Sequence, residues 1–550
     1  MPDGATTLEI DLSFAGNGAV CAASTAACHP IADRSVTFGN SLMQRVLATL
    51  FCLTLTAVAS GAEAPRKPNV LFLFADDMRA DSIAALGNPT VKTPNLDALV
   101  RRGFTMRNAY CLGGNSGAVC TPSRNMLLSG NAYFRWKDFV PPNNPKQKGI
   151  LSPGDGPNFP LSMKAAGYET YHHGKKGNTA TLIQAKFDTN KYLKNDEDER
   201  RSGEPGREIV DEAIRFLKER HTTLPPSPRR GGPGRGEEAE EASPRAPGST
   251  EAAPLPNPPR RGEGTKTEPP PFCLYLAFGN PHDPRVAAQK YLDQYQRDLI
   301  PLPKNWLPVH PFDNGNMDIR DEKLLPWPRT EAALRDTHHE YYATITAMDF
   351  HIGRLLATLK EQGLLDNTLI VFSADQGIAI GSHGLLGKQS LYDAAMKSPL
   401  VFAGPNIPHG KSNALVYLFD IHPTLCDLVG APVPKEIDGV SFRPVIEQKS
   451  KSARPELFFS YLNLQRALRD DRYKLIRYPQ VNVTQLFDLE ADPDEMHDLS
   501  QDPAHATRIT RLTAQLLKSQ AHYGDSQPLT VPNPKSPVWT PPAKSESLNE

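Results

Sequence analysis

Three stretches of the 550-residue chain are almost continuously apolar and short enough to be β-strands. They span residues 69–75, 272–278 and 368–374. An apolar run without polar alternation is typical of strands covered on both faces, as in parallel sheets. Amphipathic segments between them predict helices at 94–103, 159–167, 208–220, 331–362 and 419–428. This alternation predicts an α/β fold with a large, mixed, mostly parallel sheet flanked by helices.

The apolar runs become shorter beyond residue 445. The predicted elements there are strands at 457–459, 465–469, 473–477 and 485–489 and a helix near 507–519. They predict a small C-terminal α+β subdomain over 446–530, with a short antiparallel sheet, after a larger α/β domain over 66–445. Residues 531–550 are rich in Pro and Ser, which predicts a disordered tail.

The N-terminal region carries a targeting pattern. Residues 43–62 place Arg45 before an apolar run and then small residues, which predicts a signal peptide cleaved after Ala62. The run is too short for a membrane span, and its alternative is a buried helix. Because a signal peptide is N-terminal, we interpret residues 1–42 as a non-native or disordered extension. The expected location is secreted or periplasmic.

Residues 222–271 interrupt the larger α/β domain with Pro, Arg, Gly, Glu and Ser and almost no apolar side chain. Such a composition cannot bury enough surface to fold, so we predict a disordered insertion, with a polyanion-binding arm as the alternative. The formal net charge of the chain is −1, from 61 basic and 62 acidic residues. This balance argues against nucleic acid or an anionic membrane as a partner.

Polar side chains follow the predicted strands. Asp76 and Asp77 follow the first, His282 the second, and Asp375 with Gln376 the third. Ligands of open α/β sheets bind at the carboxyl ends of strands, so these groups are expected to meet. A carboxylate-rich oxygen set suits Ca²⁺ or Mg²⁺ better than zinc. For the two adjacent acids, a helix cap with a solvated neighbour is the alternative.

Basic side chains also follow predicted strands. A predicted strand at 168–171 precedes His172, His173 and Lys175, and His383 and Lys388 follow the third apolar strand. Adjacent residues of a strand face opposite ways, so at most one of the two histidines is expected in the site. Lys175 and Lys388, together with Arg124 and His282, suit a tetrahedral oxyanion. Both phosphate and sulfate esters are candidates.

A loop of small residues, 113–119, leads to Cys120, with Pro122 and Arg124 close behind. This order predicts Cys120 at or just before a helix N-terminus, where an anion is favoured, with Arg124 over the same spot. A merely packed cysteine is the alternative. The seven cysteines contain no CxxC pair, and a Cys111–Cys120 disulfide stays open.

These motifs together resemble the type I sulfatases of the alkaline-phosphatase superfamily, including iduronate-2-sulfatase-like and other polysaccharide sulfatases. Segments 120–124 and 128–130 are similar to their Cys-x-Pro-x-Arg signature. The pairs 76–77 and 375–376 are similar to their calcium motifs, and 486–493 to their C-terminal-domain turn.

The resemblance implies that a formylglycine-generating or equivalent maturing enzyme oxidises Cys120 to 3-oxoalanine (formylglycine), whose hydrate attacks sulfur. It also implies one Ca²⁺ ion, with Mg²⁺ as the alternative. The implied metal ligands are Asp76, Asp77, Asp375, Gln376 and Cys120. The implied catalytic residues are Cys120, Arg124, Lys175, His282, His383 and Lys388.

Two positions depart from the family pattern. Gly177-Asn178 stand where relatives often have a histidine, so His282 or His383 is expected to protonate the leaving group. Gln376 replaces the usual Asn or His ligand.

The expected function is a sulfuric ester hydrolase acting on a sulfated carbohydrate. The alternatives are a phosphodiesterase or phosphonate monoester hydrolase of the same superfamily, and a non-catalytic sulfoglycan-binding protein. No integral membrane span is expected.

Overall fold

A mixed sheet of nine strands forms the centre of the part of the chain that the computed structural model describes, which is residues 66–139, 151–222 and 269–542. The predicted extension 1–42, the signal peptide 43–62 and residues 223–268 of the predicted insertion lie outside the described residues.

The strands are, in chain order, β1 (Asn69–Ala75), β2 (Phe104–Tyr110), β3 (Gly113–Gly114), β4 (Glu169–Gly174), β5 (Thr189–Tyr192), β6 (Phe272–Ala277), β7 (Thr368–Ala374), β8 (Lys397–Ser398), β9 (Leu400–Ala403), β10 (Gly410–Tyr417), β11 (Leu457–Tyr461), β12 (Gln465–Arg469), β13 (Tyr473–Tyr478) and β14 (Val483–Asp488). The α-helices are α1 (Pro94–Arg102), α2 (Cys120–Ser129), α3 (Phe159–Ala165), α4 (Thr181–Gln184), α5 (Asp196–Arg201), α6 (Arg207–Thr222), α7 (Gln289–Leu292), α8 (Glu331–Glu361), α9 (Asp393–Met396), α10 (Ile421–Leu428), α11 (Arg443–Ile446) and α12 (Ala506–Tyr523).

Strand β1 lies at the middle of the large sheet, between β6 and β7, and is parallel to both. The strand order is β10-β2-β9-β7-β1-β6-β4-β5, with β8 paired to β2. Alternate residues of β1 enter two separate hydrophobic clusters: Phe72 belongs to one and Leu73 to the other. Both faces of the strand are therefore buried, which explains its continuous apolar sequence. The predicted α/β fold is confirmed.

The sequence pattern did not reveal β2 or β10, which pair with each other at one end of the large sheet. Exposed or half-exposed polar residues interrupt both strands, among them Arg107 and Lys411. Strand β4 also runs further than predicted, so His172 and His173 lie inside it. His172 packs on Tyr275, and burial lowers its pKa to about 3.

The C-terminal sheet has the order β14-β13-β12-β11-β3. Its first four strands match the predicted antiparallel sheet, and helix α12 packs Leu512 and Leu516 into its core. The fifth strand, β3, comes from the cysteine loop and pairs in parallel with β11. Gly113 has φ 109°, and a Cβ there would lie 2.0 Å from the Ser460 carbonyl oxygen. Only glycine fits this position.

Residues 531–542 of the predicted tail have no helix or strand, yet they contact the folded body. The Lys535 amide donates to the Gln480 carbonyl oxygen at 2.8 Å, and the Trp539 ring lies 5.9 Å from that of Trp327.

Two further predictions concern a membrane span and a disulfide. Within the described residues, no helix combines the length and apolar character needed to cross a membrane. The four cysteines they contain, Cys111, Cys120, Cys273 and Cys426, are free and buried, so Cys111 and Cys120 form no disulfide.

A buried ion network joins the C-terminal sheet to helix α9. The fully buried Lys474 ammonium lies 2.9 Å from an Asp393 oxygen and 2.8 Å from a Glu495 oxygen. Removing one partner of such a network leaves uncompensated charge in the interior.

We expect Lys474→Met to lower the free energy of unfolding by about 3–5 kcal/mol, because Asp393 and Glu495 lose their shared cation. Denaturant and thermal unfolding measure this change. The matched control is Lys290→Met, since the exposed Lys290 pairs with Glu204 at the surface. A loss of stability no larger than that of the control would contradict the importance of the network.

Candidate active site

Acidic side chains from two strand ends and one cysteine converge at the carboxyl edge of the large sheet. Ligand atoms of Asp76, Asp77, Asp375 and Cys120 all lie within 4.8 Å of one another, and all four residues are buried. Asp76 and Asp77 directly follow β1, and Asp375 follows β7. The parallel pairing of β1 with β7 brings these ends together, as the sequence predicted.

Helix α2 presents the cysteine. Cys120 is its first residue, Pro122 fits the first turn, and the helix ends at Gly130 in the left-handed conformation. The Ser123 hydroxyl donates to the Asp375 carbonyl oxygen at 2.5 Å, which ties the helix start to the end of β7. The predicted position of Cys120 is therefore the observed one.

Arg124 lies beneath this cluster and is fully buried. Its Nε donates to an Asp375 oxygen at 2.9 Å, and a terminal nitrogen lies 3.4 Å from an Asp76 oxygen. The guanidinium also packs over the Phe74 ring at 5.1 Å. Its main role in the geometry is to hold the carboxylates in place.

Two lysines complete the charge balance. The Lys175 ammonium, just after β4, bonds to Asp76, and the Lys388 ammonium lies 2.7 and 3.0 Å from the two Asp77 oxygens. Burial alone would raise the pKa of Asp76, yet Lys175 and Arg124 lower it well below its usual value. Burial and the nearby Asp76 instead raise the pKa of Asp375 to about 7.

The Cys120 thiol is poorly suited to act as a nucleophile itself. Burial and the Asp76 carboxylate raise the pKa of the thiol well above its usual value. Because the thiolate is the reactive form of cysteine, this environment keeps the residue unreactive.

Gln376 lies against the same atoms. Its Nε2 donates to Asp77 at 2.7 Å and lies 3.1 Å from the Cys120 sulfur, whereas its buried Oε1 has no hydrogen-bond partner. A half-turn of the amide would exchange the two atoms and bring Oε1 toward the carboxylates.

The residues present fit a hard divalent cation. Three carboxylates and an amide oxygen are the ligands that Ca²⁺ and Mg²⁺ prefer. The unpartnered Oε1 and the mutual repulsion of the carboxylates give a reason for a cation at this point. Asp76, Asp77, Asp375 and Gln376 are thus able to hold it, with the residue at position 120 alongside.

His282 borders the cluster beyond the end of β6. Its Nε2 lies 3.7 Å from an Asp77 oxygen, and its Nδ1 lies 2.6 Å from the Asp283 carbonyl oxygen. Burial and the Lys388 charge lower the pKa of His282, so the imidazole is neutral at neutral pH. Its side chain is 14% exposed, which leaves a path from solvent.

His383 is not brought into the cluster. Its ring stacks on Tyr392 with centroids 3.8 Å apart, and its Nε2 lies 3.0 Å from the Asn305 amide nitrogen. None of its described contacts reaches Asp77 or Cys120. Burial lowers the pKa of His383 to about 3, which suits a neutral structural residue.

Sequence reasoning missed the residues that support this site. Asp283 is adjacent to His282 in the sequence, and Arg320 bonds to it from a distant segment. Arg320 lies in a stretch without helix or strand periodicity, so no local pattern indicated its role.

Comparisons with known proteins extend these observations. Residues 68–223 and 263–431 match the family model described as Sulfatase. Residues 381–522 match the model described as N-sulphoglucosamine sulphohydrolase, C-terminal. An N-acetylglucosamine-6-O-sulfatase of Bacteroides thetaiotaomicron is 26% identical over 88% of this chain and 92% of its own length.

Solved structures share the fold. One, in complex with its substrate D-glucosamine-2-N,6-O-disulfate, has a TM-score of 0.63 at 22% identity and covers 84% of this chain and 99% of its own. The phosphonate monoester hydrolase of Agrobacterium radiobacter has a TM-score of 0.61 at 20% identity, covering 83% and 96%.

We expect Ca²⁺ to raise the thermal unfolding midpoint of chelator-treated protein, because the cation binds only the folded carboxylate cluster. At 100 times the dissociation constant the gain is about 2.7 kcal/mol. Asp77→Asn should reduce this gain, whereas Asp211→Asn, at a surface pair with Arg354, should retain it. An unchanged midpoint with both Ca²⁺ and Mg²⁺ would exclude the site.

Proposed function

The chain belongs to the sulfatase family, whose members hydrolyse sulfate esters, and we propose that this protein removes sulfate from a sulfated carbohydrate. The observation that carries the proposal is Cys120 at the start of a helix, enclosed by three carboxylates and two lysines. The saccharide substrate is supported by two similar proteins, an N-acetylglucosamine-6-O-sulfatase and a structure in complex with its substrate D-glucosamine-2-N,6-O-disulfate.

In this proposal a formylglycine-generating or equivalent enzyme converts Cys120 to formylglycine. The hydrate of the aldehyde supplies a hydroxyl nucleophile, which the buried, protonated thiol cannot supply. A calcium ion, or magnesium in its place, held by Asp76, Asp77, Asp375 and Gln376, would neutralise sulfate charge and lower the pKa of that hydroxyl.

The protein side chains perform the remaining tasks. Lys175 and Lys388 point their ammonium groups at the cluster from two sides, so they can donate to sulfate oxygens. Arg124 keeps Asp76 and Asp375 at fixed positions beneath the nucleophile. The neutral ring of His282 accepts at Nε2 the proton that the attacking hydroxyl loses, and donates it to the oxygen of the leaving alcohol as the bond from that oxygen to sulfur breaks.

His282 is preferred over His383 for this proton transfer because only its ring faces Asp77. The histidine that relatives often carry after the lysine is Gly177-Asn178 here, so no second imidazole is assigned on that side.

A phosphonate monoester hydrolase is the second candidate. It is supported by the similarity of fold to the Agrobacterium radiobacter enzyme, whose TM-score is close to that of the sugar-bound structure. The ratio of kcat/KM for an aryl sulfate and for a phosphonate monoester distinguishes the two functions, and we expect the sulfate to be favoured.

We also propose that the protein is exported through the signal peptide at 43–62. N-terminal sequencing of protein recovered from the periplasm or medium should begin at Glu63. Retention of residues 43–62 in exported protein would contradict this proposal.

We expect mass spectrometry of protein expressed with a maturing enzyme to find formylglycine at position 120. Cys120→Ser should lose sulfatase activity by at least about 10³-fold, because serine forms no aldehyde hydrate.

The Cys120→Ser variant should keep the thermal midpoint of unmatured wild type, since the two side chains are similar in size. Full activity in protein whose Cys120 remains a thiol would refute the proposed nucleophile.

A further inference from the structure

The His282 ring is held on one side by two acceptors of the next residue. Its Nδ1 lies 2.6 Å from the Asp283 carbonyl oxygen and 3.4 Å from a carboxylate oxygen of Asp283. With a proton on Nδ1 donated to this side, Nε2 is directed toward Asp77 and the site. The hydrogen bond to the carbonyl oxygen and the nearby carboxylate on the Nδ1 side thus decide which way Nε2 faces.

Asp283 is in turn held by Arg320. Both terminal guanidinium nitrogens bond to the two Asp283 oxygens, one at 3.0 Å, in a bidentate arrangement. Such a pair fixes direction as well as distance. Burial would raise the pKa of Asp283, but the Arg320 guanidinium keeps it well below its usual value, so the carboxylate stays charged.

The turn that carries Arg320 also supports the Lys388 loop. This 3-10 turn spans Arg320–Leu324. Asp321 accepts from the Gln389 side chain at 2.7 Å, and Glu322 accepts from the Gly387 amide at 2.9 Å. Three consecutive residues of one turn therefore contact the segments that carry His282 and Lys388, whose nitrogens lie beside Asp77.

We propose that the Asp283–Arg320 ion pair is a positioning element for His282, which keeps Nε2 directed at the leaving oxygen of the ester. The inference rests on the proposed function, because the leaving oxygen is that of a sulfate ester. Asp283 and Arg320 act through His282 and need not touch the substrate.

A positioning role for the ion pair predicts that the rate loss depends on the leaving group, whereas a purely structural ion pair does not. Proton transfer to the leaving group matters most when the leaving alkoxide is basic, as in a sugar sulfate. It matters little when the leaving group is a stable phenolate, as in nitrophenyl sulfate. Loss of the pair should therefore affect the two substrates unequally.

The experiment compares kcat and KM of matured wild type, Asp283→Asn, Arg320→Gln and the double variant on both sulfates. We expect kcat for the sugar sulfate to fall roughly 10- to 100-fold in each variant, with KM nearly unchanged. The nitrophenyl sulfate should show little change. The double variant should be no worse than Asp283→Asn, because both substitutions remove one interaction.

Arg320→Lys should recover only part of the activity, since lysine keeps the charge without the bidentate geometry. The matched control is Asp336→Asn, which removes another bidentate pair, with Arg297 at the surface. Its kinetics should equal those of wild type.

Equal losses on both substrates, or a change confined to KM, would overturn the proposal.

Crystal structures of wild type and Asp283→Asn decide the same question without activity. The His282 ring should turn away from Asp77 in the variant, and an unmoved ring refutes the proposal. If wild type hydrolyses neither sulfate, the proposed function fails while these structures still decide the inference. If Asp283→Asn does not fold, Arg320→Gln provides the same comparison, since Arg320 is half exposed.

Discussion

Three buried carboxylates lie together at the edge of the central sheet, and much of the surrounding structure serves to make this tolerable. Two like charges about 4 Å apart repel by about 4 kcal/mol even at an effective dielectric constant of 20. Arg124 from helix α2, Lys175 after β4 and Lys388 after β7 each bring a cation to these groups. The sheet, the helix and both loops are thus fixed relative to one another by one electrostatic requirement.

This requirement explains why the site was largely predictable from sequence. Continuous apolar strands fix where the chain enters the core. Charged residues at the ends of such strands are energetically tolerable only where they come together at a shared site. The pairs 76–77 and 375–376 could therefore be placed together before any geometry was known. Cys120 followed from its helix-start pattern, and the observed helix begins at that residue.

The remaining parts depend on contacts between distant segments, which no local pattern records. His383 follows the same strand as Asp375, yet a left-handed residue conformation and a stacking contact on Tyr392 carry it elsewhere. Arg320 is the converse case, a residue that supports the site although the sequence did not indicate it. Its segment shows no helix or strand periodicity in the sequence, and only the tertiary structure brings it to Asp283. Strands β2 and β10 were not predicted because sequences with several polar residues do not indicate burial on both faces.

Strand β3 has a bearing on the order of events during biosynthesis. Among the residues that the structure describes, Gly113 and Gly114 pair as a strand only with Ser460 and Tyr461, which are synthesised much later. In the finished fold Cys120 is 1% exposed. The loop that leads to the buried Cys120 is therefore completed by one of the last strands of the chain. The late position of β11 delays the closure of this loop until the C-terminal sheet has been made.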